Sequence, residues 1–439
     1  MKINSVLPIK ALIICHDFPP LNSIGAQRPY HWFKNLKKFG IEPTVVTKNW
    51  SNNAATVSEV FTAEHQKENS VENLPEGKII RVPIEHILPE KMIAKYGINK
   101  YVLPRKVLTF LYRTLAHIFF LFDRNVFMYK AAKEELQKEK YDIIITTGEP
   151  WIVFKYAYLL KKQFNIPWIT DYRDGWFINQ EHALRRGFFH QLMRYYEYYF
   201  EKKYTALADL VITVDPFMAE KLNKAVIRPV KIIYNGFEKF IDLTESPKAK
   251  TLTIVHTGTL KNTQDVEFLL RSIQVLHESG KIKVGDLKLI FLGLEYEQIQ
   301  LSRVVNFNIS IKPYIETTAR LPKEKAMEIN VGADYGITFS DPNWTAIYAK
   351  TYDYVATKTP ILIIPSDNGL LDNFVKELNF GFSFKTEDEL QHFICKSIED
   401  KKTGKGFSKN DLNVEKALFY TRENQTKELS TIIKDILKS

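Results

Sequence analysis

The chain has 439 residues, 45% of them hydrophobic and 26% charged, with a formal net charge of +10. This length exceeds one ordinary core and implies two domains, and the composition excludes a disordered chain. Two cysteines far apart, Cys15 and Cys395, exclude a disulfide framework and suit a reducing compartment; no apolar run reaches the roughly 18–20 residues of a membrane span, and the run after Lys10 is too short for the core of a leader peptide.

ALIIC at 11–15 is a continuous apolar run, the pattern of a strand buried on both faces. A loop with Pro19, Pro20 and Gly25 follows, then an amphipathic helix from about 26 to 39 that stops at Gly40. Further strands are expected at PTVVT (43–47), DIIITT (142–147), PWITDY (167–172) and DLVITV (209–214), with a helix over 152–163. Strand–helix alternation of this kind implies a parallel, doubly wound sheet. The pattern restarts after Tyr234-Asn235-Gly236, with LTIVHTG (252–258), a helix over 265–277, then KLIFLG (288–293), ISIKPY (309–314), DYGITF (334–339) and PILIIP (360–365) as strands. The expected architecture is α/β: two Rossmann-like doubly wound parallel-sheet domains facing a cleft. The first spans 1–240, the second 241–419, with a linker end after Ser246-Pro247 and a last helix within 420–439 packing back on the first domain.

In doubly wound sheets, ligands bind at the carboxyl ends of strands, so the loops there carry the candidate site. The strand at 11–15 delivers His16, Asp17, Gly25 and Arg28. Gly25 permits close approach of backbone to a ligand. Arg28, in the first helical turn, either faces a donor oxygen or simply lies on the surface. The strand at 142–147 delivers Glu149, and that at 167–172 delivers Asp171, Arg173 and Asp174. These charged groups form either a structural ion pair, Arg173 with Asp171 or Asp174, or a catalytic acceptor site with a carboxylate near the attacking hydroxyl. In the second half, Gly258 and Lys261 follow one strand, and Pro313 and Tyr314 are candidates to present backbone groups to a nucleobase.

The most informative stretch is DPNWTAIYAKTYDYVATKTPILIIPSD (341–367). Lys350 and Asp353, three apart on a short helix, share a face. A phosphate fits against Lys350, Lys261 and the helix N-terminus, and a ribose diol against Asp353. There is no phosphate-binding G-x-x-x-x-G-K-[ST] loop, no G-x-G-x-x-G, and no His/Cys spacing for a metal. A diphosphate is therefore expected to be neutralised by Lys, Arg and helix dipoles, with no metal or cofactor required.

Two segments, 104–122 (PRKVLTFLYRTLAHIFFLF) and 184–204 (LRRGFFHQLMRYYEYYFEKKY), combine basic and aromatic residues. They either lie at an anionic membrane surface or pack on the sheet as ordinary helices. No nucleic-acid module is recognisable, so nucleic acid is not an expected partner.

These motifs resemble retaining glycosyltransferases of family 4, which have the GT-B fold. HDFPPLNSIGAQRPYHWFKNLKKFGIEPTVVT is similar to the family's opening strand, loop and helix, TDYRDGW to a D-x-R-D-x-W segment, IIYNGFE to the crossing into the second domain, and KTYDYVATKTPIL to K-x-x-E-Y-[LM]-A-x-x-x-P-[IV]. The resemblance implies a nucleotide-diphosphate-sugar donor on the second domain and an acceptor on the first. Lys350 and Lys261 would contact the diphosphate, Asp353 the ribose, and Gly25 the phosphate or transferred sugar. Asp353 stands where the family has Glu, and Thr345 where it has the first Glu of an E-x7-E pair. The expected activity is sugar transfer, with retention, to a lipid-linked or polysaccharide acceptor in cell-surface polysaccharide synthesis. The expected location is cytoplasmic, peripheral at the inner face of the cell membrane. The rival expectations are a GT-B-fold sugar-nucleotide epimerase and a non-catalytic membrane-associated scaffold.

Overall fold

The computed structural model describes residues 8–21, 23–50, 68–178, 187–241, 250–404 and 411–438. The linker expected after Ser246-Pro247 and the start of the segment expected at 184 lie outside these residues. The chain divides into two compact units, Met1–Tyr234 with Gln425–Ser439, and Asn235–Asn424.

In the first unit the strands are β1 (Ile9–Cys15), β2 (Ile41–Lys48), β3 (Ser70–Leu74), β4 (Gly77–Val82), β5 (Ile143–Gly148), β6 (Trp168–Tyr172), β7 (Leu210–Thr213) and β8 (Val230–Ile232). The helices used below are α1 (Ile24–Asn35), α2 (Leu88–Tyr96), α3 (Val102–Ala116), α4 (Val126–Lys138), α5 (Ile152–Phe164) and α6 (Phe188–Thr205). The sheet order is β3-β4-β2-β1-β5-β6-β7-β8, parallel except for the β3–β4 hairpin. The apolar runs explain the parallel centre: β5 and β6 are buried at every residue, and β1 over its last five. Ile13 registers with Val45 on one side and Ile145 on the other, so β1 is a central strand, and burial of consecutive residues means that both its faces are covered. Helix α1 opens where the Ser23 hydroxyl accepts from the Ala26 N–H at 3.0 Å, and the 3-10 turn that follows it closes at Gly40 in the left-handed conformation, φ +80°.

In the second unit β9 (Leu252–Thr257), β10 (Leu287–Leu292), β11 (Ile315–Thr317), β12 (Tyr335–Phe339), β13 (Ile361–Ile364) and β14 (Gly381–Ser383) form a parallel sheet in the order β11-β10-β9-β12-β13-β14. Its helices include α7 (Val266–Glu278), α8 (Lys323–Gly332) and α9 (Ala349–Ala356). The last helix, α10 (Arg422–Lys438), carries the chain out of this unit, and its Leu429, Ile432 and Ile433 join the core of the first unit under β1 and β5.

Two sequence expectations change. ISIKPY at 309–314 is a 3-10 helix, not a strand. The Asn308 side chain accepts from the Ser310 N–H at 2.8 Å, a local bond that competes with a ladder, and Pro313 has no N–H to give one. The β3–β4 hairpin was not expected. Its edge strand leaves Val71, Asn73 and Leu74 exposed with Glu72 half-buried, so it lacks the apolar alternation that marks a half-buried strand.

Candidate active site

Each sheet has one point where the strand order reverses, between β1 and β5 in the first unit and between β9 and β12 in the second. Connections leave such a point in opposite directions, so the loops diverge and leave a ligand-sized crevice at the carboxyl ends.

In the second unit the β9 end supplies His256 and Gly258, and α9 supplies Lys350. Gly258 turns through φ +91° with open space where a side chain would project, a conformation that disfavours any other residue and leaves the backbone approachable. Lys350 Nζ lies 3.0 Å from His256 Nε2 and 3.4 Å from the Thr259 carbonyl. His256 is buried, and its Nδ1 lies 3.2 Å from the Ile337 carbonyl. A carbonyl only accepts, so Nδ1 carries the proton and Nε2 is the acceptor for the Lys350 ammonium. Burial, then the Lys350 charge, holds the imidazole pKa well below 6.5, which keeps it neutral. Burial, then the nearby Lys261 charge, lowers Lys350 to about 7.

Lys261 is exposed, and its ammonium lies 5.8 Å from the ring centroid of Tyr348, the residue preceding α9. Tyr348 makes no side-chain capping bond to α9, so the first turn of the helix presents its N–H groups beside two lysines. Asp353, one turn further along, is raised above its usual range by burial; Lys323 of α8, with Nζ 3.8 Å from Oδ1, and Arg422 act in the opposite direction. The loop after β12 is pinned by Asp341, which accepts from the Thr263 hydroxyl at 2.8 Å and the Asn343 N–H at 2.9 Å.

Pro313 and Tyr314 are misplaced by the sequence expectation. They precede β11, at its amino end, and the Tyr314 hydroxyl is 3.0 Å from His277 Nδ1 in the core. The carboxyl end of β11 leads instead to Thr318, whose hydroxyl accepts from the Gly293 N–H at 3.2 Å, and to exposed Arg320. A side chain at Gly293 would meet both Arg320 Cα, at 4.0 Å, and Gly258 Cα, at 3.9 Å.

In the first unit the expected charged residues separate into two groups. Asp171 is fully buried. It accepts from Arg28 Nε at 3.0 and 3.1 Å, from Arg28 Nη2 at 2.8 Å and from the Thr147 hydroxyl at 2.7 Å. Arg28 Nη1 donates to the carbonyls of Ile233 at 2.5 Å and Tyr234 at 3.3 Å. This corrects the expectation for both residues. The pair ties α1 to β6 and to the chain leaving β8, so both side chains are engaged in a buried ion pair instead of standing open at the strand ends. The buried partner of Asp171 is Arg28, not Arg173.

The second group lies at the β1 end. Asp17 Oδ1 is 2.8 Å from His16 Nδ1, and Oδ2 accepts from the Ser23 hydroxyl at 2.8 Å. Arg173 donates through Nε to the Gly148 carbonyl at 3.1 Å, with Nη1 3.9 Å from Asp17. The position a Gly25 side chain would take is 1.5 Å from Arg173 Nη1 and 2.6 Å from Asp17 Oδ2, so the missing Cβ makes room for this pair. Burial acts to raise Asp17, but the His16 bond and the His16 and Arg173 charges outweigh it and hold the carboxyl below its usual range. Burial brings His16 down to about 4. Asp174 and Glu149 are exposed on the same strand-end loops. His16, Asp17 and Ser23 went unassigned in the sequence, although His16-Asp17 at the end of a buried strand was the available signal. His256 carries no assigned role in the sequence, although its place two residues before the strand-end Gly258 is an available signal.

Among the described residues, no group of three or more His, Cys, Asp or Glu side chains is arranged to hold a metal ion.

Two doubly wound parallel-sheet units, each with its site residues at a strand-order reversal, define the GT-B class. Solved structures of that class cover nearly the whole chain. Sucrose-phosphate synthase from Thermosynechococcus elongatus aligns over 98% of this chain and 99% of its own, with a TM-score of 0.63 at 14% identity. The trehalose-6-phosphate structure from E. coli, bound with UDP-2-fluoro glucose, aligns over 97% and 99%, with 0.59 at 10%. The catalytic domain of starch synthase IV from Arabidopsis thaliana, bound to ADP and acarbose, aligns over 98% and 100%, with 0.58 at 11%. Within the chain, residues 99–239 match the model of Glycosyltransferase Family 4. That family segment and the GT-B fold together indicate a glycosyltransferase. No curated protein matches the sequence.

Proposed function

We propose that this chain moves a sugar from a nucleotide-diphosphate sugar to a lipid-linked or glycan acceptor, with retention, in cell-surface polysaccharide synthesis. The observation that carries the donor half is the Lys350–His256 contact at the β9–β12 reversal. A neutral imidazole fixes a lysine beside the N-terminal turn of α9, with Lys261 close by. The leaving diphosphate gains negative charge as the anomeric bond breaks, and preorganised donors at that position favour the transition state over the ground state. Asp353 is the group suited to a ribose diol, and Gly258 lets backbone approach the diphosphate. In the retaining route a donor phosphate oxygen takes the acceptor proton, so the chain need supply no base.

The membrane half rests on α3. None of its residues is buried, and Leu103, Val107 and Leu111, at helical spacing of four, are 76%, 56% and 43% exposed. Leu121, just beyond it, is 87% exposed. Between 88 and 121 there are six lysines and arginines against one glutamate. An apolar stripe flanked by cations suits the interface of an anionic bilayer. No helix among the described residues is long and apolar enough to cross a membrane.

The test is a thermal-shift screen against UDP, GDP and ADP, followed by transfer assays with the sugar nucleotide of the base that stabilises. A base that raises Tm in the native protein but not in Lys350→Ala supports the reading. No stabilisation by any of the three overturns it and favours a scaffold that kept the fold.

A further inference from the structure

The first unit contains a cavity of about 560 Å³ bounded by α2, α3, α6 and the start of α5. This is the size range of small-ligand sites. Ile93, Tyr112, Phe122, Trp151, Trp176 and Met193 give it an apolar wall. The Trp151 and Trp176 rings stack at 5.5 Å with an interplanar angle of 3°.

Its charged residues are almost all compensated. Glu90 pairs with Arg124, and Glu197 with Arg113. Asp123 accepts from the Tyr156 hydroxyl at 2.6 Å and from the Asn125 N–H at 2.9 Å, with the Lys155 and Lys48 charges close enough to act on it. Glu149 lines the cavity and is exposed. Arg105 differs from all of these. Half-buried Arg105 lines the same space, and its Nη1 is buried with no hydrogen-bond partner among the described residues. A buried guanidinium N–H without an acceptor costs free energy that a bound anion would recover.

Arg105 also sits on the opposite side of α3 from the apolar stripe. Arg105, Thr109, Tyr112, Arg113 and Ala116 recur at three- and four-residue spacing and line the cavity, while Leu103, Val107 and Leu111 face out. One helix therefore presents a membrane-suited face and, behind it, an aromatic chamber with a single uncompensated cation.

We propose that this cavity binds a lipid phosphate, with the phosphate on Arg105 and the start of the apolar chain against Trp151 and Trp176. This deepens the acceptor side of the proposed function and rests on that reading. The shared chemistry is a phosphate monoester on one hydrocarbon chain, whether isoprenoid or straight.

Trp151 and Trp176 give the readout. The full-length chain is titrated, without detergent and below micelle formation, with farnesyl phosphate, dodecyl phosphate or farnesol, following tryptophan fluorescence. At least one of the two phosphates is expected to saturate the signal. Its Kd is expected to rise at least tenfold in Arg105→Gln and to stay within twofold in Lys106→Gln, the neighbour outside the cavity. Farnesol should bind at least tenfold more weakly than the preferred phosphate. Binding of farnesyl phosphate alone identifies an isoprenoid chain; binding of both identifies a site indifferent to branching, and either supports the proposal. Failure of both to saturate, or equal affinity in wild type and Arg105→Gln, overturns it. Circular dichroism and Tm of Arg105→Gln separate lost binding from lost fold, and if that variant unfolds, Ile93→Trp, which fills the chamber without touching the arginine, must weaken the same phosphate tenfold or the proposal falls. Nucleotide stabilisation of Tm is measured on the same samples. If it persists while neither phosphate binds, the cavity assignment fails and the donor reading stands; phosphate binding without any nucleotide effect sinks the donor reading and leaves the cavity assignment in place.

Discussion

Lys350 Nζ and His256 Nε2 meet at 3.0 Å, one from the first turn of a helix and the other from the end of a buried strand. The imidazole is locked on its far side by the Ile337 carbonyl and packed against Phe339, ring centroids 5.0 Å apart. The lysine head is thus positioned before any ligand arrives. His256→Phe keeps an aromatic ring in this packing and removes the acceptor. Hydrogen bonds to charged groups contribute about 1.5–3 kcal/mol, so kcat/KM should fall roughly tenfold to a hundredfold. Lys350→Ala should lower kcat by about 10²–10³, the cost of removing one transition-state donor. Steady-state kinetics on both variants checks this, and wild-type rates in Lys350→Ala would remove the donor site.

The lowered pKa of Lys350, about 7 in the free protein, predicts a pH dependence of nucleotide binding. A bound diphosphate favours the ammonium and raises that pKa, so the complex holds more protons than its free components above pH 7. Affinity is then greatest below about 7 and falls by up to about tenfold per pH unit above it. The terminal phosphate, with a pKa near 6, is already ionised there and adds no slope. His256, held neutral, adds none either. Arginine stays charged throughout, so Lys350→Arg should flatten the profile between pH 7 and 9. Calorimetric Kd values across that range decide it.

Arg28 and Asp171 make the opposite kind of prediction, one of stability. Both are buried, and Arg28 is engaged through Nε and both terminal nitrogens. Removing one partner leaves an uncompensated buried charge, at a cost of about 3–5 kcal/mol. Arg28→Ala should therefore lower the urea midpoint sharply. The double change Arg28→Met with Asp171→Leu should be less destabilised than Arg28→Ala alone, because no lone charge remains. An Arg28→Ala variant of native stability but without activity would instead return Arg28 to the donor contacts.

How far the sequence reached follows from the range over which each signal acts. The buried part of β1, 11–15, and the strand Ile361–Ile364 were legible because burial on both faces demands an unbroken apolar run. That Lys350 and Asp353 lie on one short helix was legible because the signal is local. Arg28 and Asp171 lie 143 residues apart, and nothing in either segment says that the other residue completes it. The 309–314 segment failed for another reason. Its alternation of Ile and polar residues has the period of a strand, but the Asn308 cap and Pro313 act on hydrogen bonding, which a hydropathy pattern does not register. Arg105 was visible as one charge in a basic helix; that its Nη1 is enclosed and unpartnered is a property of three other helices.

The exposed stripe on α3 predicts reversible membrane binding. Leu103→Glu with Val107→Glu removes two apolar anchors, each worth about 1.5–3 kcal/mol when fully buried, and adds charge of the wrong sign. Co-sedimentation with vesicles containing anionic lipid should drop at least tenfold. Wild-type binding should weaken as salt rises and be much lower on neutral vesicles, since the cations are exposed and screened. Equal binding by wild type and the double variant would assign the stripe to some other partner.

Glu201, on α6, predicts how stability responds to pH. It is buried, with Oε1 accepting from the Tyr172 hydroxyl at 3.0 Å and Oε2 from the Phe177 N–H at 3.1 Å. Burial raises its pKa to about 7, against those two bonds, and the Glu197 charge adds to the rise. The folded pKa lies above the ordinary glutamate value of 4.5, so between these pH values the native state holds a proton that the unfolded chain has released. Stability therefore falls as pH rises through that window, by ~3 kcal/mol at most for this group, and levels off above about 7. Glu201→Gln cannot titrate, keeps an acceptor for one of the two donors, and should lose this slope. The difference in urea-unfolding free energy between wild type and Glu201→Gln should shift against the wild type from pH 5 to pH 7.5. A difference that stays constant across that range would mean that Glu201 is ionised in the native state, with the Tyr172 and Phe177 donors holding its charge against burial.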